Sequence, residues 1–220
     1  KISNVVFLFQ FMKLAASIVS FDLTCLRETV KEIEKYGIDL YHVDVMDGNF
    51  VPNITVGPDF IKNLKKISNK QIEAHLMIKR PDLYVERFEN SGADIITVHV
   101  ESENFLESLK KIKNAKKGIA VNPETELSGI KEYLNMVDLV LIMTVHPGFS
   151  GQQFIKDMIP KIVQLKKIKE DNNYNFEIAV DGGINKDTIK FIRDYVDIVC
   201  AATGIFLGNM EENIRALKYG

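Results

Sequence analysis

The sequence predicts a single (β/α)8 TIM barrel of the α/β class, and three observations predict it. Eight short runs of β-branched and aliphatic residues alternate with polar or amphipathic stretches of helix length; this order builds a parallel sheet with right-handed crossovers. Several runs are apolar almost without interruption, as over 137–143 (VDLVLIM), and strands of that kind are buried on both faces, as parallel strands are. A chain of 220 residues accommodates eight such units. A doubly wound open sheet is the competing arrangement, but no G-x-G-x-x-G follows the first strand.

The strands are expected at 14–19, 40–45, 72–77, 95–100, 118–122, 139–144, 177–181 and 198–202. After the first, Leu26, Val30 and Ile33 fall at i, i+4 and i+7, the spacing of a helix packed on a sheet. Comparable patterns predict helices over 60–67, 84–88, 105–112, 130–134 and 155–168. Asp187 ahead of Thr188 starts another, and 209–217 forms the last. No linker, low-complexity tract or shift in composition marks a domain boundary. The barrel is expected to span 12–220. The apolar stretch 1–11 (KISNVVFLFQF) is too short to span a bilayer and has no small-residue cleavage site; it is expected to be an extension ahead of the barrel, with an extra helix or strand as the alternative.

Composition excludes some functions. Hydrophobic residues make up 46% and charged residues 26%, ordinary for a globular protein. A net charge of −2 without a basic stripe gives no case for nucleic acid, and no segment is apolar enough for a membrane. Cys25 and Cys200 lie far apart and outside any C-x-x-C pattern, as free thiols in a reducing compartment do. Cys200 sits in an apolar run and reads as a packed core thiol.

The four histidines, His42, His75, His99 and His146, each fall toward the end of a strand-like run. Barrel active sites are built at the C-terminal ends of the strands. His42 and Asp44 are two apart, so on a strand they point to one face. His75, on the next strand, can reach the same space, and Asp181, ending the seventh, can approach from elsewhere on the rim. Any one histidine near a strand end is ordinarily a satisfied polar residue. Two His and two Asp at matching ends suit a divalent ion: Zn²⁺, Fe²⁺, Mn²⁺ or Co²⁺.

Three glycine-bearing loops follow the last strands: Pro147 to Gln152, with Gly148, Phe149, Ser150 and Gly151; Asp181, Gly182 and Gly183; and Ala202, Thr203 and Gly204. Singly each is a turn. Together they suit a phosphate held by backbone N–H groups at this end of a barrel. Met46, Met77 and Met143 lie beside these motifs; they fill core by default, or they form a water-excluding wall around a charged intermediate.

These stretches carry a resemblance. HVDVMDGNFVPNITVGP (42–58), AHLM (74–77), GADIITVHVE (92–101), MTVHPGFSGQQF (143–154), VDGGIN (180–185) and the 17–20 segment resemble the ribulose-phosphate 3-epimerase family, in order, from about Met12 to the C-terminus. The HVDVMDG-x-FVPN block is highly specific. The resemblance implies a barrel of the ribulose-phosphate-binding type, with one divalent metal on His42, Asp44, His75 and Asp181. It implies that Asp44 and Asp181 are the acid/base pair and that Ser17 and His75 contact a phosphosugar substrate. It also implies that Gly148, Phe149, Ser150, Gly151, Gly182, Gly183, Ala202 and Thr203 hold that substrate, largely at its phosphate. A cytoplasmic homo-oligomer is the corresponding expectation. The chain departs from the family pattern at Ala16, Phe21, His146, Ser150 and Ala202–Thr203. The last two bear on the phosphate pocket.

The implied reaction interconverts D-ribulose 5-phosphate and D-xylulose 5-phosphate at C3. Three alternatives stand beside it. One is a D-allulose 6-phosphate 3-epimerase. Another is a non-catalytic phosphosugar-binding barrel, which has no need of two opposed acids. The third is a decarboxylase of similar barrel, against which the chain has no Asp-x-Lys on its second strand.

Overall fold

Eight parallel strands close on themselves in chain order in the computed structural model, which describes residues 12–18 and 22–220. They are β1 (Lys13–Ser17), β2 (Leu40–Met46), β3 (Gln71–Met77), β4 (Ile95–His99), β5 (Lys116–Val121), β6 (Leu139–Met143), β7 (Glu177–Asp181) and β8 (Ile198–Ala201). Because β1 pairs with both β2 and β8, the sheet has no edge and the open-sheet alternative falls. The extension expected at 1–11 lies outside the described residues.

The period of two sorts each strand. On β2, Tyr41, Val43 and Val45 join the layer between sheet and helices, while Leu40, His42, Asp44 and Met46 take the other face and line the barrel. On β3, Ile72, Ala74 and Leu76 pack outward and Glu73, His75 and Met77 inward. A second apolar cluster, including Ala120, Leu139, Leu141, Met143, Ala179 and Cys200, fills the rest of the interior. The lower end is closed by Glu177, whose carboxylate takes Lys13 Nζ at 2.7 Å and Lys116 Nζ at 3.6 Å.

Outside the barrel lie α1 (Leu26–Lys35), α2 (Pro58–Lys65), α3 (Val85–Asn90), α4 (Phe105–Lys111), α5 (Met158–Asp171), α6 (Thr203–Phe206) and α7 (Met210–Tyr219). Asn209 caps α7 by accepting from Glu212 N–H. Two expected helices are corrected. The connections before β6 and β8 are 3-10 turns, at Leu127–Tyr133 and at Ile189–Phe191 with Arg193–Tyr195. Leu127, Ile130 and Tyr133, and likewise Ile189, Ile192 and Tyr195, recur every three residues and pack on the core. Three is the repeat of the tighter helix. Asn185, not Asp187, organises the second connection, accepting from Asp187 N–H and Thr188 N–H. No helix among the described residues is long and apolar enough to cross a membrane.

The loop after β2 folds over the barrel mouth. Asp47 holds it: Oδ1 accepts from Asn49 and Phe50 N–H at 2.8 Å each, and Oδ2 from Lys79 N–H at 2.9 Å, tying this loop to the one after β3. Asn53 Nδ2 donates to Gly148 O at 2.8 Å and so joins it to the loop after β6.

Two outcomes follow from this packing. A Cβ on Gly118 would stand 2.3 Å from Thr97 Oγ1 inside the barrel. Gly118→Ala is therefore expected to destabilise by about 1–3 kcal/mol through overpacking, read as a lower urea midpoint at unchanged m-value; an unshifted midpoint contradicts it. Burial would raise the Asp47 carboxyl, but the backbone N–H groups of Phe50, Lys79 and Asn49 hold it below its ordinary value. A depressed folded-state pKa gives stability that is present above the ordinary Asp value of about 3.9 and is lost as pH falls through the folded one. Asp47→Asn should flatten that acid limb in urea midpoints measured from pH 6 down to pH 2; an identical limb in both proteins counts against the assignment.

Candidate active site

Parallel register places the site. Asp44 pairs with His75 across β2 and β3, and His42 pairs with Glu73 one layer below. Ser17 stands beside His42 from β1, and Asp181 beside Cys200 from β7. The side chains converge accordingly. His42 Nε2 lies 3.1 Å from Asp44 Oδ1, 3.2 Å from His75 Nδ1 and 3.8 Å from Asp181 Oδ2; His75 Nδ1 lies 3.0 Å from Asp44 Oδ1. Ligand atoms of all four residues fall within 4.8 Å of one another. Ser17 Oγ donates to the other Asp44 oxygen at 2.8 Å. The imidazoles are fully buried; the two acids are partly open to the mouth.

The donor set fits a cation. Asp44 Oδ1, His42 Nε2 and His75 Nδ1 form a triangle of electron-pair donors in mutual contact. A proton placed on either nitrogen bridges one or two of its edges; a divalent ion beside them could take all three donors and Asp181 as well. The same demand for positive charge marks the titrations. Burial disfavours a charged His42, yet Cys200, Glu73 and Asp44 around it raise it well above an ordinary histidine. Burial would raise Asp44, but His42 and His75 hold it well below the usual carboxylate range. Asp181, less well partnered, is pushed up to about 6 by burial and by the Asp44 charge. The two acids are thus unequal.

Above this cluster the cavity is lined by Ser17, Asp44 and Asp181, by Met46, Met77 and Met143, and by the three loops: Gly148 to Gly151, Gly182 and Gly183, and Ala202 and Thr203. Every residue singled out for the phosphate loops lines it except Gly204. Gly182 has φ +119° and its absent Cβ would lie 2.4 Å from Val145, so the chain can turn there only without a side chain. Met77 and Met143 are buried, and Met46 is half-buried.

Some expectations need correcting. His42 and His75 sit within their strands rather than at the ends. His146 does not join the site: it lies three residues past β6, exposed, with Nδ1 3.0 Å from Glu124 Oε1, because a strand this short ends before reaching it. Cys200 is buried as expected but is not simply packing, since its Sγ lies 3.3 Å from His42 Nδ1. Two participants, Glu73 and Thr97, were not singled out, and His99 was noted as a strand-end histidine without a role. Glu73 Oε2 lies 2.7 Å from His42 Nδ1, Thr97 Oγ1 donates to Glu73 Oε1 at 2.6 Å, and His99 Nε2 lies 2.8 Å from His75 Nε2. The signal was available: Glu73 and His75, like Thr97 and His99, are two apart and share the inward face.

Comparison with known proteins agrees with the geometry. The chain matches the ribulose-phosphate 3 epimerase family over residues 13–206. It is 44% identical over 199 residues to a ribulose-phosphate 3-epimerase of Methanocaldococcus jannaschii, covering 89% of this chain and 84% of that one. It is 41% identical over 185 residues to that of Bacillus subtilis, covering 82% and 85%, and 41% identical over 209 residues to the chloroplastic ribulose-5-phosphate-3-epimerase of Arabidopsis thaliana, covering 92% and 74%. Among solved structures, a 3-keto-L-gulonate-6-phosphate decarboxylase of Vibrio cholerae superposes with a TM-score of 0.70 at 14% identity, covering 94% of this chain and 95% of that one; at that identity the likeness is one of fold. With the family matched along almost the whole barrel, and relatives above 40% identity across most of it, the chain belongs to the ribulose-phosphate 3-epimerase family and is an enzyme of that kind.

Proposed function

We propose that this chain inverts C3 of D-ribulose 5-phosphate to give D-xylulose 5-phosphate, using one divalent ion and the carboxyl groups of Asp44 and Asp181 as acid and base. One observation carries the reading: two unequal carboxylates, Asp44 buried and Asp181 partly buried, reach the same point from the non-adjacent strands β2 and β7. Inversion at carbon needs that arrangement, a base on one face and an acid on the other.

The proton at C3 is acidic because C2 is a carbonyl carbon. One aspartate takes it, leaving an ene-diolate; the other, protonated, returns a proton to the opposite face. The reverse direction exchanges their roles, so at the start they hold opposite protonation states. When bound by His42, Asp44, His75 and Asp181, a divalent ion supplies a Lewis acid for the negative charge that develops on the substrate oxygens. Ser17, bonded to Asp44, is placed to orient that carboxylate. Met46, Met77 and Met143 keep water from the reacting carbon, which strengthens every electrostatic interaction there. The loops at Gly148 to Gly151, Gly182–Gly183 and Ala202–Thr203 receive the phosphate.

Replacing either aspartate by Asn removes one proton carrier. Asp44→Asn and Asp181→Asn should each lower kcat by at least about 10²-fold, the smallest share that positioned acid–base groups supply. Metal content is measured alongside. A near-normal rate in Asp181→Asn carrying one equivalent of Zn²⁺ contradicts the two-aspartate scheme.

A hexulose phosphate is the rival substrate because Ser150 and the Ala202–Thr203 pair, where the sequence departs from the family pattern, both line the cavity. Specificity is a ratio of kcat/KM values. The pentulose phosphate is expected to exceed D-allulose 6-phosphate in kcat/KM; the opposite order reassigns the substrate.

A further inference from the structure

We propose that Glu101 and His99 are positioning residues that fix where His75 carries its proton, and that Glu73 does the same for His42 in the opposite sense. The inference rests on the reading of His42, Asp44, His75 and Asp181 as a cation site.

The chain of contacts begins near the rim. Glu101 Oε1 accepts from Asn122 N–H at 2.9 Å and from the Thr125 hydroxyl. Glu101 Oε2 lies 3.2 Å from His99 Nδ1. An ionised carboxylate only accepts, so His99 carries its proton on Nδ1. In a neutral ring Nε2 is then a lone pair. That lone pair lies 2.8 Å from His75 Nε2, with the ring planes within 25° of each other. Two lone pairs at that distance repel, so His75 carries its proton on Nε2. Its Nδ1, the atom facing Asp44 Oδ1 and His42 Nε2, is left free to ligate.

His42 is set the other way round. Glu73 Oε1 is occupied by Thr97 Oγ1, and Oε2 lies 2.7 Å from His42 Nδ1. His42 therefore carries its proton on Nδ1 and presents Nε2 to the cluster. Neighbouring ligands on adjacent strands thus use different ring nitrogens, each dictated by an acid from outside the ligand set. The acid at the outer end is held in turn. Lys161, on α5, donates to the carbonyls of Asn122, Pro123 and Thr125 at 3.2, 2.6 and 2.8 Å, and so fixes the segment that grips Glu101.

The test needs no variant to begin with. The chain has four histidines, so long-range ¹H–¹⁵N correlation spectra of the full chain loaded with Zn²⁺ resolve each ring. Protons are expected on His42 Nδ1, His75 Nε2 and His99 Nδ1, with exposed His146 unaffected by Zn²⁺. A His99 proton on Nε2, or a His75 proton on Nδ1, overturns the relay. In Glu101→Gln the amide can also donate to His99, so the preference should weaken. The Zn²⁺ dissociation constant, from competition with a chromophoric chelator, should rise by about 10- to 100-fold, and Glu101→Asp should recover part of it. An unchanged constant with unchanged His75 resonances also overturns the relay. Wild-type protein that takes up no Zn²⁺ instead sinks the cation site itself. Uptake with the wrong protons sinks only the assignment of Glu101 and His99.

Discussion

The inside of a closed eight-stranded barrel holds little water, and every polar atom placed there must be satisfied by another. This constraint governs the structure. The strand repeat of two turns Glu73, His75, Thr97 and His99 inward with His42 and Asp44, and none could remain there alone. They are satisfied in pairs across β2, β3 and β4: His42 with Glu73, Glu73 with Thr97, His75 with Asp44 and His99. Among the described residues, the one buried side-chain oxygen or nitrogen without a partner is Asn122 Oδ1, beside the outer end of this array. The remainder of the interior, with Ala120, Leu139, Leu141 and Met143, is apolar.

That division has an electrostatic consequence. Charges set against an apolar wall interact more strongly than they would in water. Two carboxylates and two imidazole nitrogens converging beside that wall create a demand for positive charge which the protein meets only in part. Asp44 is held ionised by Ser17, His42 and His75. Asp181, with His42 at 3.8 Å, bears most of the unmet repulsion. Inequality between the acids therefore arises from the strands they occupy: β2 has histidines on itself and on its neighbour, whereas Asp181 pairs with Cys200 and Met143, which bring no positive charge.

The parts of this arrangement that lie within one strand could be read from the chain. His42 and Asp44 are two apart, so their shared face needs no knowledge of the neighbours. The barrel itself was legible for the same reason, since alternating strand and helix patterns are local. The network behind these four side chains depends on register between strands, and register is set by the whole sheet. Nothing near Gly118 indicates that its missing side chain makes room for Thr97, which in turn holds Glu73. His146 shows the converse: its motif resembles the others, but β6 ends at Met143 and carries it out to solvent. The two 3-10 connections were misread because Ile130 and Leu134, like Ile192 and Val196, are apolar, buried and four apart, so the apolar spacing by itself does not separate the tighter helix from the α-helix.

Stability alone does not account for keeping this array. Burying ionisable groups costs several kcal/mol each, and well-packed apolar replacements are often as stable or more so. Leu139, Leu141 and Met143 on the far wall show that the same barrel accepts such residues at inward positions. What apolar side chains cannot do is fix the proton on a chosen ring nitrogen. An imidazole has two nitrogens, and which one is free depends on what the other faces. Glu73 leaves Nε2 of His42 free, and the Glu101–His99 pair leaves Nδ1 of His75 free. Glu73 and Glu101 are therefore better understood as determinants of which ring nitrogen is free than as contributors to folding. Glu73 is buried one layer behind the four converging side chains and Glu101 stands near the rim; neither places an atom among the four, which is where groups of that role must stand.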